Sequence, residues 1–176
     1  AHSSTDPEIH QYLLTKLRSD ETEQKRLRRL WALHVTGGTS SELLASCLDD
    51  KSEHVRCWAI RLLTENDNLS PTVLAKLNTM AQSDDSGLVL TWLASALQRL
   101  RYEDRWPIAL ALGRHKEYAN DRVLPLMVWY GIEPAVLASP DQAIEMVGVC
   151  QLPIVREYIA RRLTLEIERQ PDIIAG

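Results

Sequence analysis

An apolar helical signature returns along this chain at fixed intervals, and it constrains the fold more than any other feature. Residues 54–63 read HVRCWAIRLL. Positions 55, 58, 59, 62 and 63 follow the i, i+3, i+4, i+7, i+8 spacing of one buried helix face. Val89 and Leu97 stand 34 residues beyond Val55 and Leu63, with Trp92 in the place of Trp58. A further copy lies 100 residues beyond the first, where Arg156, Tyr158 and Leu163 match Arg56, Trp58 and Leu63. A period in the thirties with helical spacing implies stacked two-helix repeats, because one hairpin alone cannot bury both of its helices. The expected architecture is an all-α solenoid of about four to five helical hairpins, over residues 1–176 as a single domain.

Boundary chemistry supports this reading. Asp6-Pro7, Ser40-Ser41, Ser52, Ser70-Pro71, Ser86, Ser139-Pro140 and Leu152-Pro153 are helix starts: capping side chains, or proline in a first turn that needs no N–H. A second helix is expected to start near Asp20. Gly37-Gly38 ends it, since glycine tolerates the left-handed conformation of a helix terminus. The pattern loosens between about residues 101 and 122, where one irregular repeat is expected. A helix is read from Trp106-Pro107 to Gly113, followed by a short polar stretch, His115 to Asn120. Pro125 either opens the next helix or kinks it. Pro171 and the apolar Ile173-Ile174 finish the chain. No segment shows the period-two alternation of a strand.

Within the repeats, Trp58 and Trp92 are expected as buried fillers between neighbouring hairpins, each worth roughly 2–3 kcal/mol when covered. Arg56 lies off the apolar stripe, within reach of Asp49 and Asp50 in the preceding turn. Trp129 and Tyr130 are adjacent and cannot both enter one core. Glu133, in the turn that follows, is placed for a backbone N–H or for Arg156.

Composition bounds the function. The formal net charge is −4, which disfavours a polyanion binder. The basic run Lys25-Arg26 with Arg28-Arg29 lies beside Asp20, Glu21 and Glu23, as on a solvated helix face. No apolar run approaches the roughly 20 residues of a membrane span. The cysteines, Cys47, Cys57 and Cys150, form no CxxC pair, and Cys47 and Cys57 fall on apolar helix faces. The five histidines lack the i, i+4 spacing of a helical zinc pair. Phosphate-binding glycine loops and nucleophile elbows are absent, and no serine has a partner base. No cofactor or metal is expected.

Four segments, in order, carry a family resemblance: Leu30-Trp31-Ala32-Leu33-His34; Val55-Arg56 with Ala59-Ile60-Arg61-Leu62; Leu124 to Pro134 (LPLMVWYGIEP); and Leu152 to Leu163 (LPIVREYIARRL). Together they resemble the HEAT-like helical region of planctomycete-type membrane-bound dehydrogenases. The first two are generic to HEAT repeats; the last two are more specific. In that family the helical region lies between a sugar-dehydrogenase-like β-propeller and a cytochrome-c-like haem domain. The resemblance implies an exported electron-transfer parent of which this chain is a fragment. It does not imply chemistry here, since none of the cysteines begins a CxxCH haem-attachment sequence.

The expected function is therefore a non-catalytic scaffold or protein-interaction module, the spacer or docking region of a larger haem protein. Its partner would be a neighbouring domain or another protein, not nucleic acid, and the segment would not insert in a membrane. Two alternatives compete: a helical-repeat enzyme of DNA-glycosylase or bilin-lyase type, and a small-molecule-binding regulatory domain with a pocket beside Trp129. Second helices line the concave side of curved helical solenoids. Arginine and aromatic residues dominate interface hot spots. The candidate interaction residues are accordingly Arg56, Arg61, Trp129, Tyr130, Glu133, Arg156 and Arg161.

Overall fold

The computed structural model describes residues 7–19, 22–65 and 69–169, with side chains to residue 165. Asp6, Asp20 and the 170–176 tail lie outside the described residues. Every regular element among the described residues is helical. The order is α1 (Pro7–Ser19), α2 (Glu23–Val35), α3 (Ser41–Cys47), α4 (Glu53–Leu63), α5 (Pro71–Ser83), α6 (Gly87–Ala96), α7 (Tyr102–Leu112), α8 (Leu124–Val136), α9 (Pro140–Val149) and α10 (Pro153–Arg169). Short 3-10 turns follow α6, at Leu97–Arg99, and α7, at Lys116–Tyr118. The fold class is all-α, a solenoid of helical hairpins.

Two compact units divide the chain, residues 1–63 and 64–176. In the first, α1 packs on α2, α3 on α4, and the second helices α2 and α4 on each other. In the second, the hairpins are α5–α6, α7–α8 and α9–α10. There the first helices pack in series, α5 on α7 and α7 on α9, and the second helices likewise, α6 on α8 and α8 on α10. Second helices thus meet second helices in both units, and in the second unit first helices also meet first helices.

Local chemistry sets the helix ends. Ser40, Ser52, Ser70 and Ser86 each accept the N–H three residues ahead at 3.2–3.3 Å, satisfying a donor that the helix itself leaves orphaned. Gly37 holds φ 74°, and the N–H of Gly38 reaches the carbonyl of Leu33 at 2.7 Å. Pro125 sits in the first turn of α8, which starts one residue earlier at Leu124, so the proline opens the helix and does not kink it. Asp121 completes the start of α8: its carboxylate accepts the N–H groups of Val123 and Leu124 at 2.8 and 2.7 Å.

The irregular stretch differs from its sequence reading. Helix α7 begins at Tyr102, and Pro107 lies inside it. Glu103 and Asp104 in the first turn favour this earlier start, and Arg101 Nε donates to Asp104 at 2.8 Å. Pro107 is exposed, so its ring faces solvent. The polar residues after α7 form the connection of the α7–α8 hairpin. His115 anchors that connection, with Nε2 2.8 Å from the Ala81 carbonyl on α5 and Nδ1 2.7 Å from Glu117.

The core is aliphatic, with one large ring. Trp106 is fully buried (0 % exposed), whereas Trp58 and Trp92 are only half-buried. The expectation of two buried fillers is thus corrected. The helical period identified the correct helices, but both rings lie at the edge of the apolar stripe and not at its centre. Arg105, next to Trp106, is buried without a carboxylate partner on its guanidinium nitrogens. Instead its Nε donates to the Leu100 carbonyl at 2.9 Å, Nη1 to Gly131 at 2.7 Å and Nη2 to Gln98 at 3.3 Å. Burial lowers its pKa, opposed by Tyr102, over whose ring the guanidinium lies at 4.7 Å. One side chain thereby joins the turn after α6 to the middle of α8.

Candidate functional site

On α8 the fully buried positions Leu124, Val128, Ile132 and Val136 recur every fourth residue. That places Trp129 and Glu133, each one position on, along the adjoining strip beside α10. On α10, Val155 and Ile159 enter the core. Tyr158, Arg161, Arg162 and Leu165 then flank it toward α8. Together these four and Trp129 shape a cleft of about 270 Å³.

The two rings meet edge to face, 5.5 Å between centroids at 62°. That arrangement sets the positive edge of one ring on the negative face of the other. The Arg161 guanidinium lies 5.8 Å from the Tyr158 ring centre. Its Nη2 donates to Glu157 at 2.9 Å. Arg162 Nε stands 3.1 Å from Glu133 Oε1. Glu133 therefore pairs with Arg162, and the expected Arg156 pairing is corrected. Arg156 follows the core residue Val155 and turns to the exposed side, whereas Arg162 is three residues past the core residue Ile159.

The structure brings Trp129, Glu133 and Arg161 together around this cleft. Tyr130 is exposed (51 %) beside Trp129, and Arg156 is exposed on α10. Arg56 and Arg61 lie on α4, in the other compact unit. Arg56 meets its expected acid through the backbone: Nη1 donates to the Asp50 carbonyl at 2.9 Å. The Asp50 carboxylate is held by buried Arg26, from 24 residues earlier.

Tyr158, Arg162 and Leu165 belong to the cleft but were not legible as site residues. A signal existed for Tyr158: it and Arg161 stand 100 residues beyond Trp58 and Arg61, the same aromatic and arginine at i and i+3. A ring pair also occurs in the first unit, where Trp31 on α2 meets Trp58 on α4 at 5.2 Å and 72°. Trp31 is 40 % exposed. With Trp92 on α6, every second helix carries at least one large ring that is not fully covered: Trp31, Trp58, Trp92, Trp129 with Tyr130, and Tyr158.

Elsewhere the chemistry is muted. Among the described residues no three His, Cys, Asp or Glu side chains gather as a metal site would require. Cys47, Cys57 and Cys150 are buried free thiols. Burial, with Asp50 nearby, pushes the Cys47 thiol up to about 11, which suppresses the nucleophilic thiolate at neutral pH. A second cavity, about 420 Å³ in the first unit, is lined by residues that include the Arg26–Asp50 pair. No helix of the described residues is long and apolar enough to cross a membrane.

The family model for HEAT repeats matches residues 11–98. No curated protein and no solved structure matches the chain. The chain belongs to the HEAT repeat family.

Proposed function

We propose that this HEAT-repeat protein is a non-catalytic scaffold that binds a protein partner through second helices, α2 and α4 in one compact unit and α6, α8 and α10 in the other. The observation that carries this reading is the ring distribution. Four of the five tryptophans, all but Trp106, lie on second helices with part of the ring uncovered. Aromatic residues bury 150–250 Å² each when fully covered, so a ring left partly uncovered on each second helix is apolar area that a partner would cover. Arginines accompany them: Arg61 on α4, Arg156, Arg161 and Arg162 on α10. Tyr130, Glu133 and Arg56 complete the proposed contact set. HEAT repeats are commonly protein-interaction scaffolds, and that supports the same class.

The finer reading follows the resemblance of Leu124–Pro134 and Leu152–Leu163 to planctomycete-type membrane-bound dehydrogenases. In it, the helices form one repeat domain that spaces or docks a β-propeller and a cytochrome-c-like haem domain of a longer chain. Chemistry then belongs to those neighbours, and the partner is a neighbouring domain. Nucleic acid is disfavoured by the net charge of −4.

The test is a titration of the purified neighbouring domains of the full-length protein against this chain by calorimetry. Wild type is expected to bind, and Tyr130→Ala and Arg161→Ala to bind more weakly while keeping their helical content. Equal binding by both folded variants would place the contact elsewhere.

A further inference from the structure

We infer that the α8–α10 cleft takes an acidic linear segment of the partner, seating one large apolar side chain against Trp129, Tyr158 and Leu165 and a carboxylate on Arg161. This rests on the reading of the second helices as a protein-binding face and specifies the chemistry that face selects.

Size is the first argument. At about 270 Å³ the cleft falls below the roughly 300–1,000 Å³ of small-molecule and cofactor sites. It has room for one large side chain. Its apolar floor, two rings and the half-exposed Leu165, suits an aromatic or aliphatic anchor.

Charge is the second. Among the described residues the lining contains two guanidinium groups and no carboxylate. Glu133 and Glu157 hold those arginines from outside the lining. Glu157 engages Nη2 of exposed Arg161, and a guanidinium carries five N–H donors in a fork that matches a carboxylate. Tyr158 and Glu157 flank that fork, its guanidinium 5.8 Å from the Tyr158 ring centre and 2.9 Å from Glu157. A basic segment would meet like charge at Arg161 and Arg162. A nucleic acid would meet the chain's net negative charge over the rest of its backbone.

The test uses the full chain and a display library of random 16-residue peptides, followed by anisotropy titration of the enriched sequences as labelled synthetic peptides. Enriched peptides are expected to carry Asp or Glu within two residues of Trp, Phe, Tyr or Leu. Their affinity should fall about tenfold or more in Arg161→Glu and in Trp129→Ala, and fall again as salt rises from about 50 to 200 mM. Arg161 is exposed, so its reversal leaves the fold intact even if the Trp129 variant does not. Failure to enrich, or enrichment of neutral or basic peptides, would overturn the assignment. So would acidic peptides that bind Arg161→Glu as well as wild type, or competition by a thymidine oligonucleotide at the same site. The docking reading fails separately, when the neighbouring domains do not bind at all.

Discussion

Replacing Arg105 by methionine isolates what a buried arginine contributes when it has no acid to pair with. Methionine keeps most of the apolar stem and deletes every donor. Three carbonyls lose a partner, but unequally. Gln98 is exposed, so its carbonyl turns to water. Gly131 is inside α8, and its carbonyl keeps the helical N–H of the next turn as an acceptor would in any helix. Leu100 is buried beyond the last 3-10 turn and has no such substitute. One stranded buried carbonyl costs about 1–3 kcal/mol, and two lost charge-assisted bonds add about 1–2 kcal/mol once water and helix compensate. Removing an unpaired buried charge recovers part of this. The expected net loss is about 2–4 kcal/mol. Urea unfolding followed by circular dichroism reads it as a lower midpoint with an unchanged slope. Arg105→Lys should be no better than methionine, because one ammonium cannot span three carbonyls set in a fork. An Arg105→Met midpoint equal to wild type would refute the reasoning. Full rescue by lysine would show that charge, and not geometry, is what the site requires.

Trp106→Ala should cost about 3–5 kcal/mol, while Trp58→Ala, half-buried, should cost clearly less; thermal melts of the two variants decide. Gly131→Ala should destabilise despite alanine's better helix propensity, because its Cβ would fall 2.5 Å from Leu97 Cβ; overpacking of this kind costs about 1–3 kcal/mol by denaturant titration. Asp121 accepts the N–H groups of Leu124 and Val123, which lowers its pKa below the ordinary 3.8. Its stabilisation is therefore complete above about pH 3.8 and lost as pH falls through the lowered folded value. Asp121→Asn should flatten the acid limb of a stability–pH curve, and an unchanged limb would show that the carboxylate does not cap α8.

What the sequence made legible was chemistry that acts within a few residues. Ser40, Ser70 and Ser86 cap helices, and Gly37 turns left-handed, because those conformations are decided by the residue and its immediate neighbours. The apolar period located α4, α6 and α10 for the same reason. Contacts between distant segments were less legible. The Asp50 carboxylate goes to Arg26 on α2 because helix packing brings them together, not because of any spacing along the chain. Glu133 finds Arg162 and not Arg156, since the phase of α10 is set by Val155 and Ile159 entering the core. Pro107 was read as a helix start, whereas it sits inside α7 on the exposed side, where water can satisfy the carbonyl that its missing N–H leaves open. Spacing placed Trp58 and Trp92 on the correct helices, but depth depends on where neighbouring helices close, and both rings stop at the edge. The cleft was partly visible: Trp129 and Arg161 from residue type, with Tyr158, Arg162 and Leu165 supplied by the packing of α8 on α10.

Site-specific photocrosslinking in the full-length protein in its own cell separates a second-helix binding face from any other use of this surface. A benzophenone side chain is placed singly at Tyr130 and Arg161, on second helices, and at Ile9 and Ile144, exposed apolar positions on first helices α1 and α9. Discrete protein adducts are expected from Tyr130 and Arg161 and not from Ile9 or Ile144. Adducts confined to Ile9 and Ile144, or none from any position, would contradict a protein-binding role for the second helices.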